Sequence, residues 1–359
     1  MEYLTSFLMG VAERGRTLIG LDSPPRAGGA SIEALCRALL SGRGEASGMA
    51  LAQAILAAWD GLHGEERRVF FHGLRERFGP NEACLAGALD AYRQRPDATH
   101  TAALQRALQP QRVELFKRLN LAPGGTLALV RMREALFEAS ESDASLKDMD
   151  VDFQQLFSAW FNRGFLTMQR IDWGSSAKVL EKVIRYEAVH RIDGWEDLRG
   201  RLEPEDRRCF AFFHPQMPDE PLIFVEVALT VELPRRIDAL IGPERRRLAP
   251  EEARTAVFYS ISNCQAGLRG VSFGSFLIKA VAQVLKRELP NIGSFVTLSP
   301  LPGFRPWLAA LTSVPDDLRL ARSEIEEVLR AVEVAGPAKD LADAVARRQA
   351  VLGRLAAYY

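Results

Sequence analysis

The chain has 359 residues, 47% hydrophobic and 26% charged, enough apolar material for a sizeable core and for two domains. Lysine plus arginine and aspartate plus glutamate number 46 each, so the overall balance excludes a general field for nucleic acid or an anionic membrane, and any anion site has to be local. The longest apolar runs, such as residues 221–229 with Glu226 inside, fall far short of the ~20 residues that a membrane span requires.

At the N-terminus the one apolar core, residues 7–12, is flanked by Glu2 and Glu13, too short and too acidic for a signal or transit peptide, which predicts a cytoplasmic protein. Cys36, Cys84, Cys209 and Cys264 form no C-x-x-C pair, lack paired histidines and have apolar neighbours, so structural thiols and no metal are expected. From residue 31 to about 142 apolar residues recur at helical spacing, as in Leu35, Leu39, Leu40 and in Leu51, Ile55, Leu56, Trp59, with breaks at Gly42, Gly44, Gly79 and Pro123. Residues 1–145 are therefore expected to be a helical domain, a scaffold or homo-oligomerisation module with no chemistry of its own. The polar, acidic stretch ESDASLKDMDV, residues 141–151, reads as a linker to a second domain over 150–359.

That second domain opens with a helix over 153–163. Residues 165–171 and 209–213 alternate like strands, 222–229 is a nearly continuous apolar run fit for a central strand, and 179–189 and 195–202 read as helices. The expected class is α+β, a helical part followed by a mixed α/β part. Helices are expected again over 318–333 and 341–358, and no repeat of 20–50 residues is visible.

The most informative unit is residues 258–302. A strand with period-2 alternation over 257–262 runs into Gln265, Gly267, Gly270 and Gly274, after which Phe276, Leu277, Ala280, Val281, Val284 and Leu285 follow helical spacing. A helix that starts on glycines presents unpaired backbone N–H groups and the positive end of its dipole, so residues 268–275 suit a pyrophosphate without a lysine. The G-x-x-G-x-x-x-G order is neither a Walker A nor a Rossmann fingerprint, and taken alone the glycines are also compatible with close helix–strand packing. Cys264, just ahead of the turn, is either a packed thiol or one activated by the helix start.

Further segments narrow this unit. The Q-x-G-x-x-G turn with its FLIK helix and FVTLSPLPGF strand and loop, WFNRGFLTMQRIDW (160–173), LEKVIRYEAVHRIDGWEDLRGRL (180–202) and DRRCFAFFHPQMPDEPLIFVEVALT (206–230) together resemble the malonyl-CoA decarboxylase family, over most of 119–304. The resemblance implies a GNAT-like (acyl-CoA N-acyltransferase) fold and a lyase of fatty-acid and malonate metabolism that converts malonyl-CoA to acetyl-CoA and carbon dioxide, with no cofactor beyond the CoA thioester. It implies CoA contacts at Arg269, Gly270, Val271, Ser272, Phe273, Gly274 and Ser275, and a catalytic serine at Ser299. Read as residues alone, Ser299 is equally a turn cap before Pro300 and Arg269 a solvated surface arginine. His190, His214, Glu220 and Glu226 are more simply structural groups that need partners.

One departure stands out. The family's second catalytic group, a histidine in N-P-V-x-x-F-H-L-x-N-G, has no counterpart among His63, His72, His100, His190 and His214. The alternatives are therefore a catalytically impaired acyl-CoA-binding or oligomerisation protein, or acyl transfer by the same fold.

Overall fold

A computed structural model describes residues 29–42, 44–234, 236–242, 245–271, 274–311, 322–334 and 348–358. Helical segments come first among the described residues: α1 (Gly29–Leu40), α2 (Glu45–Asp60), α3 (Gly64–Arg77), α4 (Glu82–Gln94), α5 (Ala98–Leu108), α6 (Gln111–Asn120), α7 (Gly125–Ser142), a 3-10 turn (Ala144–Met149) and α8 (Asp150–Trp160). Side-chain caps mark several starts, with Asn81 accepting from the Cys84 N–H and Asp97 from the His100 N–H. Then follow β1 (Thr167–Ile171), α9 (Ala177–Tyr186), α10 (Trp195–Leu202), β2 (Arg207–His214), β3 (Met217–Thr230), α11 (Asp238–Ile241), β4 (Thr255–Asn263), α12 (Gly274–Glu288) and β5 (Ser294–Thr297). Among the described residues an all-helical part thus precedes a mixed sheet-and-helix part, the α+β class expected, and no helix is long and apolar enough to cross a membrane.

The sheet has the order β1-β2-β3-β4-β5, antiparallel except for the parallel β4–β5 pair. Its two faces are both covered, which is why residues 222–229 of β3 read as a nearly continuous apolar run. Phe210, Phe212, Val225, Val227 and Phe258 join Leu277 and Val281 of α12 in a core that continues through Phe153, Phe116, Leu136 and Ile55 of the helical part. On the opposite face Cys209, Ala211, Phe213 and Phe224 meet Val183 of α9 and Leu198 of α10.

The described residues up to Thr297 form one compact unit and those from Leu298 another. The second holds α13 (Phe304–Ala310), α14 (Arg322–Val334) and α15 (Gln349–Tyr358) around Leu308, Ile325, Val328 and Leu355.

Three expectations are corrected. Residues 141–151 are no loose linker: they end α7, form the 3-10 turn and begin α8, with Leu146 and Met149 fully buried, because apolar side chains at that spacing can dock even in an acidic stretch. The helix expected over 179–189 ends early, since α9 stops at Tyr186, where Glu187 turns back to accept from the N–H groups of Val189 and His190. Cys84 is exposed, unlike Cys36, Cys209 and Cys264.

Candidate functional site

The site is built where β4 outlasts its neighbour. β5 pairs with β4 only from Thr255↔Ser294 to Phe258↔Thr297. At the same point the β3 register jumps from Val227↔Phe258 to Glu226↔Ser260, leaving Tyr259 as the extra residue of a bulge, a device that bends a strand and ends its pairing. Residues 259–263 therefore continue past β5 toward the glycine turn.

The turn is held at every step. Gln265 Nε2 donates to the Pro221 carbonyl at 3.0 Å, tying the turn to the start of the apolar part of β3. A single 3-10 turn (Ala266–Leu268) follows, in which an added Cβ on Gly267 would lie 1.9 Å from the Val130 carbonyl oxygen of α7. Packing of backbone on backbone is thus the reason for this glycine. Gly270 differs: its φ of +86° is left-handed, with open space around the missing Cβ. Arg133 of α7, 1% exposed, donates from Nη1 to the carbonyls of Gly267 and Arg269, both at 2.9 Å, and from Nε to Asp150 Oδ1 at 2.6 Å. The Arg269 guanidinium rests 4.3 Å from the centroid of the Phe137 ring.

Between the turn and α2 and α7 lies a cleft of ≈ 1250 Å³, whose walls include Trp59, Arg67, Arg131, Phe137, Arg269 and Gly270. Arg67 is fixed by a 2.7 Å bond from Nε to the Leu62 carbonyl and lies 5.1 Å over the Trp59 ring. Arg131 is 3.7 Å from Glu220, whose nearer cation is Lys182 Nζ at 2.7 Å. Glu220 thus has the partners a buried carboxylate needs.

Of the residues expected to touch CoA, Arg269, Gly270 and Val271 line this cleft. Gly274 and Ser275 open α12, while Ser272 and Phe273 lie outside the described residues. Ser299 is exposed, in the irregular stretch ahead of α13 in the second unit. Burial pushes the Cys264 thiol well above its usual range, which makes it a packed, neutral thiol. Burial also lowers His190 and His214 and favours neutral imidazoles; His214 Nδ1 accepts from the Gln216 N–H at 3.2 Å. Among the described residues no cluster of His, Cys, Asp and Glu is placed to hold a metal.

On the α9 and α10 face a second polar group gathers. Glu187 accepts from Ser260 Oγ at 2.7 Å and Ser262 Oγ at 3.0 Å. Glu226, completely buried, is 3.3 Å from Arg201 Nη1, yet burial, reinforced by the negative charge of Glu187, raises its carboxyl from 4.5 to about 8. Glu226 Oε1 and Tyr259 Oη have no partner among the described residues.

Sequence reasoning missed the helical wall. No chemistry was expected before residue 145, yet Arg133 and Phe137 of α7 brace the turn. One signal was available: Arg133 lies among Leu129, Val130, Met132 and Leu136, on the buried face of its helix, where an arginine needs an acceptor.

Comparison with known proteins converges. The model of the malonyl-CoA decarboxylase N-terminal domain matches residues 78–161, and that of the malonyl-CoA decarboxylase C-terminal domain matches residues 164–359. The mitochondrial malonyl-CoA decarboxylase of Mus musculus is 38% identical over 222 residues, 59% of this chain, and that of Anser anser anser 40% over 225 residues, 61% of this chain. The chain spans 44% of the length of each of these relatives. The crystal structure of malonyl-CoA decarboxylase from Rhodopseudomonas palustris is 50% identical with a TM-score of 0.84, covering 91% of this chain and 79% of that one. That from Agrobacterium vitis is 52% identical with a TM-score of 0.81, covering 88% and 77%.

Proposed function

Because this chain belongs to the malonyl-CoA decarboxylase family, we propose that it takes malonyl-CoA and a proton to acetyl-CoA and carbon dioxide. The observation that carries this reading is the braced glycine turn. With the carbonyls of Gly267 and Arg269 engaged by Arg133, the Gly270 N–H, which has no acceptor among the described residues, and the N–H groups that a helix start such as that of α12 leaves unpaired suit an anionic ligand, and the Arg269 guanidinium adds a charge beside them. A CoA pyrophosphate has the charge and size for such a turn. Val271, Ser272, Phe273, Gly274 and Ser275 complete the stretch proposed to hold it.

In decarboxylation the bond between the carboxylate carbon and the α-carbon breaks, carbon dioxide leaves, and the electron pair moves into an enolate on the thioester oxygen until a proton reaches carbon. The group needed first is a donor to that oxygen or to the departing carboxylate. Ser299 is proposed in this role: its Oγ–H donates to the developing negative charge, and the reaction calls on no metal or redox group. A cytoplasmic location belongs to the same reading, as does a division of labour between residues 1–145 and 150–359 with assembly through the helical part. α4 and α5, which bury none of their residues, are the surface favoured for that assembly.

Incubation of the purified chain with malonyl-CoA, with acetyl-CoA followed by mass spectrometry, tests the proposal. Turnover is expected, and Ser299→Ala is expected to lower it by about 10²-fold or more, the usual cost of removing such a donor. Parent turnover no faster than that of Ser299→Ala would reject the enzymatic reading in favour of acyl-CoA binding alone.

A further inference from the structure

We propose that Arg133 of α7 is a positioning residue for the phosphate-binding turn and so sets the preference for thioesters that carry the CoA pyrophosphate; the proposal rests on the acyl-CoA reading above. The guanidinium is almost wholly buried, an unfavourable place for a charge unless every donor direction is used. If packing alone were at stake, an apolar side chain of similar volume would fill the space between α7 and α8 equally well. Instead Nη1 reaches two carbonyls of one turn, Gly267 and Arg269, from a helix more than 130 positions earlier. Asp150 holds Nε and fixes the direction of the fork.

The consequence follows from peptide planarity. A carbonyl drawn toward Arg133 turns the N–H of the next residue the opposite way. For the Gly267 carbonyl that partner is the Leu268 N–H, which is spent on the Gln265 carbonyl at 2.9 Å. For the Arg269 carbonyl it is the Gly270 N–H, which has no acceptor among the described residues and belongs to a residue lining the cleft. Arg133 therefore aims the Gly270 N–H, an N–H of the turn that borders the cleft. One helical turn further along α7, Phe137 supports the Arg269 side chain. The helix controls both the backbone and the charge that would meet a phosphate.

The test compares two probes that share the acetyl thioester and pantetheine arm: acetyl-CoA, and S-acetylpantetheine, which lacks the pyrophosphate. Dissociation constants are measured by calorimetry, so no turnover is needed. The parent is expected to prefer acetyl-CoA. Arg133→Met is expected to lower the ratio of the two constants at least tenfold, about 1.4 kcal/mol, and Arg133→Lys, which has no second nitrogen to keep Asp150 while its ammonium reaches the two carbonyls, to fall between. An Arg133→Met ratio equal to that of the parent, with both affinities reduced alike, would assign Arg133 to packing and overturn the proposal. A parent ratio near one would instead reject the acyl-CoA reading beneath it. Where Arg133→Met does not fold, Arg133→Lys and Asp150→Asn decide the question by the same ratio: a lowered ratio supports the positioning role, and an unchanged one overturns it.

Discussion

Gly267 and Gly270 stand three residues apart in one turn, and the physics that excludes a side chain differs between them. Any Cβ on Gly267 collides with the Val130 carbonyl oxygen, which belongs to a helix backbone and cannot swing aside. Gly267→Ala therefore forces the turn away from α7 and is expected to cost on the order of 1–3 kcal/mol of stability, as overpacking does. Gly270 has room but a positive φ, so Gly270→Ala carries only the conformational penalty, roughly 1–2 kcal/mol. A third variant separates fold from ligand: Gly270→Glu adds a carboxylate where phosphates are proposed to bind. Thermal unfolding with and without acetyl-CoA is expected to show ligand protection in the parent and none in Gly270→Glu. Equal protection in both would remove Gly270 from the site. At this scale the sequence was legible for the glycines and Gln265, whose spacing is local. It was silent on Val130 and Asp150, because the contacts they make span the fold.

At the scale of single elements, β3 poses a problem: Glu226 interrupts an otherwise apolar run over 222–229 and is completely buried. The sequence showed that such a carboxylate needs a partner; it did not show that Arg201 would arrive from α10 with Asp197 and the carbonyls of His190 and Arg191 already engaged. Burial, the leading cause, raises the folded carboxyl to about 8 from 4.5. Between those values the folded chain retains a proton that the unfolded chain has lost, so stability falls as pH rises through this window, with a slope of up to about 1.4 kcal/mol per pH unit from this group. Glu226→Gln removes the titration while keeping the shape. Urea unfolding at pH 5.5 and 7.5 is expected to show a smaller loss of stability in Glu226→Gln than in the parent. Identical losses would mean that Glu226 stays ionised beside Arg201. Other elements were easier to foresee. The strand at 222–229 declares itself by its nearly continuous apolar run and the helix at 195–202 by its spacing, whereas the 3-10 turn at Ala144–Met149 was hidden by its acidic composition.

At the scale of the molecule, the α+β order was legible, because helical and strand periodicities occupy different stretches of the chain. What chain order could not reveal is that the core runs from Ile32 of α1 to Ile292 without a break, so the helical part and the sheet share their apolar interior and the cleft has a wall from each. This arrangement makes a specific demand on binding. A ligand held by the glycine turn alone would slow hydrogen exchange only around residues 265–276. Arg133 bonds that turn to α7, and Gly267 lies against α7 backbone to backbone, so opening the turn requires α7 to release both contacts. Binding to the turn thus stabilises the closed form of both elements. Saturating acetyl-CoA is therefore expected to slow amide exchange in Gly125–Ser142 together with the turn and the end of β4, and Arg133→Lys to shrink the α7 component first. Protection confined to the turn would mean that the helical wall bounds the cleft without responding to what fills it.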